Sequence, residues 1–222
     1  MDKQLREVHE HMLALGLGAL AHANWHANYY SMDNDYWGEL SVLQAAHAAE
    51  ILIKARIAKE HPLLIFEQIP RPENSTTNLT FKQLVSGGRT YQYADLPSRL
   101  WATTGIRLPN LEKYGAFGKL RNSIQHFAVP KRDVTQETIE YIYGVIDPFI
   151  NKCWGLYAVD FNEDYEPYVY LVAGLIRRAI PFLVSPGVLD AWKHTDQEWP
   201  SKKPGYRKLI EKRLEEAIKS HR

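Results

Sequence analysis

Cysteine is almost absent from this chain of 222 residues, which contains a single one, Cys153. One cysteine cannot form an internal disulfide, and it excludes the zinc sites that are built from several cysteines. We therefore expect a protein that folds without covalent cross-links, as is usual in the reducing cytoplasm.

Long uninterrupted apolar stretches are also missing. The most apolar segment, residues 168–184, contains Arg177, Arg178 and Pro181, which makes it a poor candidate for a membrane span. Residues 1–11 are rich in charge, unlike the apolar centre of a secretory signal. We therefore expect a cytoplasmic protein that has no contact with a membrane.

Net charge is small, because 27 Lys and Arg residues face 26 Asp and Glu residues and leave +1. The whole molecule is therefore not a strong electrostatic attractor of nucleic acid. Positive charge is concentrated in residues 201–222, where eight Lys and Arg face three Glu, and in residues 118–132, which contain no acid. An anionic ligand would be drawn to these two segments, although for residues 201–222 a solvated helix surface is the simpler interpretation.

Helical periodicity dominates the chain, and no strand alternation, internal repeat or glycine-rich phosphate loop stands out. We predict an all-α fold, an antiparallel up-down helical bundle, as a single domain of residues 1–222. Its core covers about residues 1–155, with an irregular insertion at about 62–109 and a helical extension at about 160–222. The predicted helices are 5–30, 38–61, 80–85, 95–104, 111–128, 135–157, 168–182 and 208–221.

Two glycines and one threonine carry local expectations. Gly16 and Gly18 in the first helix are expected to permit close contact with a neighbouring helix. Thr135 is expected to cap the amino end of the helix over residues 135–157.

An Arg-x4-His pattern is the motif of interest, and it occurs three times. The three pairs are Arg6/His11, Arg56/His61 and Arg121/His126. With 13 Arg and nine His in the chain, chance alone gives about half a match at one fixed spacing, so the pattern needs supporting context.

The context favours the third pair. Arg121 is followed by a short polar residue, Asn122, inside a strong helix without nearby acids. On that helix Phe117, Leu120, Ile124 and Phe127 form one apolar stripe of roughly 80°. His126 lies about 140° from the centre of this stripe and Asn122 roughly opposite it. These two residues, one turn apart, can therefore converge on one ligand.

The segment Arg121-Asn122-Ser-Ile-Gln-His126 resembles the ribonuclease signature of the HEPN superfamily. The segment from Ala45 to Lys54, which includes Glu50, is similar to the second helix of that family. In the family an acidic residue of this helix often lies near the active site, which would place Glu50 beside His126. An ion pair between Glu50 and Lys54 on their own helix is the alternative.

The resemblance covers about residues 1–155 and implies a homodimer whose two motif helices form one composite cleft. It implies a metal-independent endoribonuclease without a cofactor that leaves a cyclic phosphate and acts as a toxin or anti-phage defence effector. An antitoxin or a regulatory partner could control it. His126 would be the general base, Arg121 would bind the phosphate, and Asn122 would orient His126 or the phosphate. The alternative is a catalytically inactive HEPN-like module that binds RNA or protein.

The basic residues that flank the motif are the expected RNA contacts. They are Lys119, Lys131 and Arg132. Their positive charges would hold the phosphate backbone without reading its sequence.

Two further groups of residues could form sites. His22 and His26 lie one turn apart, with His47 as a third possible ligand, but polar contacts between helices explain these residues more simply than a metal site. The aromatic residues Trp25, Tyr29, Tyr30, Tyr36 and Trp37 could stack on bases, although packing in the core or in a dimer is the simpler interpretation.

Overall fold

The computed structural model describes residues 3–71, 79–127, 133–163, 167–192, 198–201 and 203–220. The fold is all-α, as the periodicity predicts. The helices are α1 (Lys3–Asn28), α2 (Trp37–Glu60), α3 (Phe81–Gly87), α4 (Leu96–Thr104), α5 (Leu111–His126), α6 (Val134–Tyr141), α7 (Asp147–Trp154), α8 (Pro167–Arg177), α9 (Pro186–Trp192) and α10 (Pro204–Ser220). None of the described helices is long and apolar enough to cross a membrane.

The region predicted to be irregular contains a small sheet that the sequence does not suggest. Strands β1 (Phe66–Gln68) and β2 (Arg89–Thr90) pair in antiparallel fashion. Arg89 forms an ion pair with Glu67 across the two strands, at 2.7 Å. Strands of three and two residues are too short to show a period-two pattern, so the sequence does not predict them.

The start of α6 and the end of α8 differ from expectation. The N-cap of α6 is Asp133 rather than Thr135, because the Asp133 carboxylate accepts the backbone N–H of Gln136. Helix α8 ends at Arg177, five residues before the predicted end. The N–H groups of Ala179 and Ile180 bond back to the carbonyls of Ile176 and Leu175. This is a Schellman motif, with Ala179 in the left-handed region at φ 54°.

Two other elements also depart from the predicted pattern. Helix α9 begins at Pro186 and has no counterpart among the predicted helices. Helix α10 begins at Pro204, four residues before its predicted start, because proline is well tolerated in the first helical turn.

The chain divides into two compact units, which are described separately. Unit 1 comprises residues 1–17 and 47–108, and unit 2 comprises residues 18–46 and 109–222. In unit 1 a Cβ added to Gly16 would lie 2.8 Å from Leu52 Cγ, so this glycine does permit a close helix contact. Gly18 of unit 2 has no such role, since a Cβ there would meet none of the described atoms within 4 Å.

Unit 2 is built around the helical run of residues 134–154, in which α6 and α7 are joined by a π-helical turn, Ile142–Ile146. The ring of Tyr141 stacks on Phe117 of α5, with centroids 3.8 Å apart and planes 4° apart. Ser41 of α2 donates to the hydroxyl oxygen of Thr138 at 3.0 Å. Helices α5 and α2 are therefore both attached to the same central helix.

A buried amide joins α1 to this centre. Asn24 is fully buried and donates through Nδ2 to the carbonyls of Ala158 and Phe161, at 2.9 and 2.8 Å. Its Oδ1 accepts the hydroxyl of Tyr143 at 3.0 Å. Every polar atom of the Asn24 side chain is thus paired, which removes the cost of burying it.

A buried carboxyl group holds two loops of unit 2. Asp147 is fully buried and accepts the backbone N–H of Ala158 at 2.8 Å and that of Leu183 at 2.9 Å. Burial raises the pKa of this carboxyl to about 7, while the two N–H groups and Arg213 oppose the rise.

This raised pKa predicts how stability depends on pH. Folded Asp147 keeps its proton up to about pH 7, whereas the unfolded chain loses it near the ordinary value of 3.8. The folded state therefore binds more protons in this interval, and the stability contributed by the group falls as pH rises through it. The slope is at most about 1.4 kcal/mol per pH unit.

Urea unfolding of the wild type and of Asp147→Asn at about pH 5 and about pH 8 measures this effect. The free energy of unfolding of the wild type minus that of the variant should be larger at the lower pH. Titration of other groups affects both proteins equally and cancels in this difference. An equal difference at both pH values would mean that Asp147 is ionised throughout.

Candidate functional site

The motif helix α5 starts at a well-defined cap. Asn110 adopts a left-handed conformation with φ 48°, and its side chain accepts the backbone N–H of Lys113 at 3.3 Å. From there the helix runs without interruption to His126, and Phe117 and Leu120 are buried. The motif therefore occupies the last two turns of a helix whose other turns are fixed by packing.

The apolar stripe predicted for this helix is correct for its first part and wrong at its end. Phe117 and Leu120 are buried and Ile124 is half-buried, but Phe127 is 91% exposed. Phe127 has φ −137° and ψ −76°, so it has left the helix, and a projection at 100° per residue no longer applies. The result is a large apolar side chain in solvent beside the motif histidine.

The three central motif residues face outward. Asn122 and His126 are exposed, one helical turn apart, and Arg121 is half-buried beside them. Arg121 Nη1 donates to Gln125 Oε1 at 3.3 Å. This arrangement leaves a polar surface at the carboxyl end of α5 that can contact a ligand.

The nearest described acid in sequence, Asp133, is already engaged. Hydrogen bonds from the Thr135 hydroxyl and the Gln136 N–H lower the pKa of Asp133, which is also close enough to feel the charge of Arg178. Its carboxylate is therefore engaged in capping α6. Lys119, one of the expected RNA contacts, is exposed, while Lys131 and Arg132 lie outside the described residues.

Glu50 has a clear local partner. Its carboxylate accepts Lys54 Nζ at 2.7 Å, and Lys54 also donates to the Thr90 hydroxyl at 3.1 Å. All three residues belong to unit 1, whereas the motif belongs to unit 2. The i,i+4 ion pair is thus present, and placement of Glu50 beside His126 stays a prediction.

One of the alternative Arg-x4-His pairs is explained by local structure. Arg56 forms an ion pair with Glu60 at 2.7 Å, and His61 Nδ1 accepts the backbone N–H of Leu63 at 3.2 Å. The histidine of the other pair, His11, is exposed on α1. These two pairs serve as internal controls for the motif.

The histidines of α1 form a polar contact. His22 Nε2 lies 3.2 Å from Glu163 Oε1, and the rings of His22 and His26 are 6.0 Å apart. Burial, together with the nearby His22, lowers the pKa of His26, whose ring meets Trp37 edge-on. Among the residues that the structure describes, no three His, Cys, Asp or Glu side chains are grouped so as to hold a metal ion.

The aromatic residues of the α1–α2 region divide into two groups. Trp25 and Tyr29 stack on each other with centroids 4.3 Å apart, whereas Tyr30 and Tyr36 are largely exposed. Packing therefore accounts for the first pair, and the second pair is available to solvent.

No protein-family model, curated protein or solved structure matches this chain.

The exposure of the motif predicts that its side chains contribute little to folding. Asn122→Ala and His126→Ala, at the two exposed positions, should each change the free energy of unfolding by less than about 0.5 kcal/mol. Phe117→Ala, on the buried face of the same helix, should cost about 3–5 kcal/mol. Chemical denaturation of the three variants measures this difference. A large loss for His126→Ala would show a structural role and weaken its use as a functional probe.

Proposed function

We propose that this protein is a metal-independent endoribonuclease whose catalytic residues are Arg121, Asn122 and His126. The observation that carries the proposal is the shared exposed end of α5, where an imidazole and an amide lie one turn apart with a guanidinium beside them. Such a set can bind a phosphate and move a proton without a metal ion. The resemblance of the segment to the HEPN signature supports the same assignment.

The reaction begins at the ribose. His126 takes the proton of the 2′-hydroxyl, and the 2′-oxygen then forms a bond to the adjacent phosphorus. The bond from phosphorus to the 5′-oxygen breaks, that oxygen receives a proton from an acid, and a 2′,3′-cyclic phosphate remains. DNA has no 2′-hydroxyl and is therefore not a substrate.

Arg121 contacts the phosphate, and Asn122 orients either the phosphate or the general base, His126. The bond from Arg121 to the neutral Gln125 amide is long, at 3.3 Å. A bidentate, charge-assisted contact between Arg121 and a phosphate is stronger and would displace the bond to Gln125. Asn122 is positioned to orient His126 or a phosphate oxygen, and Lys119 adds positive charge nearby.

The acid in this scheme comes from a second copy of the chain. A motif helix contributes one histidine, whereas the reaction requires both a base and an acid. A homodimer with a two-fold axis at α5 brings a second His126 to the cleft and would also cover the exposed Phe127. We propose this dimer as the active form, and Glu50 as an acidic residue near the cleft.

The biological role follows from unrestricted RNA cleavage inside a cell. Such an enzyme is toxic, so we propose a toxin or an anti-phage effector that is controlled by an antitoxin or another regulatory partner. This part rests on the resemblance to the HEPN superfamily. Growth arrest on expression, relieved by His126→Ala, is its simplest sign.

Cleavage of RNA in the presence of a chelator is the expected activity. His126→Ala should lower the rate about 100- to 10,000-fold, since this is what loss of a general base costs. Arg121→Lys should rescue little of the loss seen in Arg121→Ala, because an ammonium cannot form the planar pair of contacts. Gel assays with RNA and DNA of the same sequence measure both effects.

The alternative pairs provide matched controls for this assay. His11→Ala and His61→Ala should leave the rate within a few-fold of the wild type. Equal losses at all three histidines would contradict the assignment, and a requirement for Mg²⁺ would exclude His126 as the base. RNA binding without cleavage by the wild type would instead indicate the inactive binding module.

Dimer formation through α5 gives a separate prediction. Phe127→Asp should shift the protein towards monomer in analytical ultracentrifugation and lower cleavage in parallel, because a buried unpaired charge would oppose association. Leu111→Asp changes an exposed apolar residue at the other end of α5 and should affect neither property. A wild type that stays monomeric and fully active would rule out the composite cleft.

A further inference from the structure

Unit 2 contains a cavity of about 500 Å³ that lies away from the motif. It is bounded by the start of α5, the helical run of residues 134–154, the segment of residues 179–183 and α10. Its volume is within the range of small-molecule sites. The sequence gives no sign of it, because its walls come from four separate parts of the chain.

The cavity has an excess of positive charge. Among the described residues that line it, Lys113, Lys203 and Arg213 are basic and Glu140 is the one that carries a carboxylate. Lys113 Nζ lies 2.8 Å from Glu140 Oε2. These four described side chains carry a net charge of +2, so the negative charge of Glu140 balances only one of the three cations.

The surroundings of Glu140 keep its carboxyl group ionised. Burial would raise the pKa of this carboxyl, but hydrogen bonds from Lys113 and Gln136 and the charge of Lys203 hold it below its ordinary value. Glu140 therefore stays ionised and fixes Lys113 at the wall, while the exposed Lys203 and the half-buried Arg213 supply the excess charge.

The position of Arg213 is fixed by the fold. Its Nη1 donates to the carbonyl of Phe182, which directs a half-buried guanidinium to this wall. A guanidinium has five N–H donors, so one such bond leaves capacity for an anion. The loop that carries Phe182 is held in turn by the bond from Leu183 N–H to Asp147.

The remaining wall is apolar. Pro148, Ile180, Pro181 and Leu183 line it, and the Schellman motif at Ala179 sets the direction of this segment. A ligand that suits both walls has an anionic group at one end and an uncharged ring at the other.

We propose that this cavity binds a phosphate monoester that carries a ring, such as a nucleoside monophosphate. Lys203 and Arg213 contact the phosphate, and the apolar wall contacts the ring. Lys113 lies eight residues before Arg121 on α5, which is roughly 12 Å along the helix axis, so this site is separate from the proposed cleavage site. Its existence does not depend on RNA cleavage.

Calorimetric titration with adenosine 5′-monophosphate, inorganic phosphate and adenosine tests the proposal. The monophosphate should bind and raise the melting temperature, inorganic phosphate should bind more weakly, and adenosine should not bind. Affinity for the monophosphate should fall as salt is added, since screening weakens the contacts. Binding by neither phosphate compound would overturn the site, and equal binding by adenosine would overturn the role of the phosphate.

Two charge reversals localise the binding. Lys203→Glu should weaken binding of the monophosphate by about tenfold or more, because it replaces an attraction by a repulsion at short range. Lys208→Glu, which makes the same change at an exposed position of α10 outside the cavity, should leave affinity within about twofold. Both positions are exposed, so folding should survive. Equal losses in the two variants would mean that general surface charge, and not the cavity, attracts the ligand.

Discussion

The buried amide of Asn24 is the interaction on which the arrangement of unit 2 depends. It joins α1 to the turn at Ala158 and, through Tyr143, to the π-helical turn of the central helix. Each of its three hydrogen bonds adds only about 1 kcal/mol net, but leaving any partner unpaired in the core would cost about 1–3 kcal/mol. The amide therefore acts mainly by making other arrangements of these three segments unfavourable.

Asp147 extends this constraint to the other side of the unit. The backbone of Ala158 is held at its carbonyl by Asn24 and at its N–H by Asp147. The second oxygen of Asp147 fixes Leu183, and the neighbouring Phe182 carbonyl then fixes Arg213. A chain of polar contacts thus connects the core of the unit with the wall of the cavity. These hydrogen bonds therefore help to position Leu183 and Arg213 at that wall.

The motif helix is held in a different way. Its inner face packs through Phe117 on Tyr141, and its amino end is capped by Asn110, so α5 has anchors that do not involve the exposed Asn122 and His126. This separation of tasks lets Asn122 and His126 remain in solvent at low cost. It also leaves Phe127 exposed beyond the last turn, which is the feature that a partner chain would be expected to cover.

The helices were predictable where local signals are strong. Pro62 ends α2 and Gly105 ends α4 in a left-handed conformation, so these ends agree with the sequence to within one residue. Errors arose where two residues could serve the same purpose. Asp133 and Thr135 are both good N-cap residues, and the sequence does not say which one turns its side chain towards the Gln136 N–H.

The candidate site was also predictable in part, because it depends on interactions within one helix. Residues 121–126 belong to one helix, and a period of 3.6 residues is enough to separate the outer position of His126 from the buried Phe117. The period fails at Phe127, because the helix ends one residue earlier.

The sequence by itself therefore determined the helical class, most helix limits and the outward face of the motif, since all of these follow from interactions between residues a few positions apart. Tertiary structure alone decided the pairing of Asn24 with Ala158, which are 134 positions apart, and the meeting of Lys113, Lys203 and Arg213 at one cavity. Such contacts depend on how distant helices pack. A polar residue such as Asn24 or Asp147 has no neighbour in the sequence that reveals its partner.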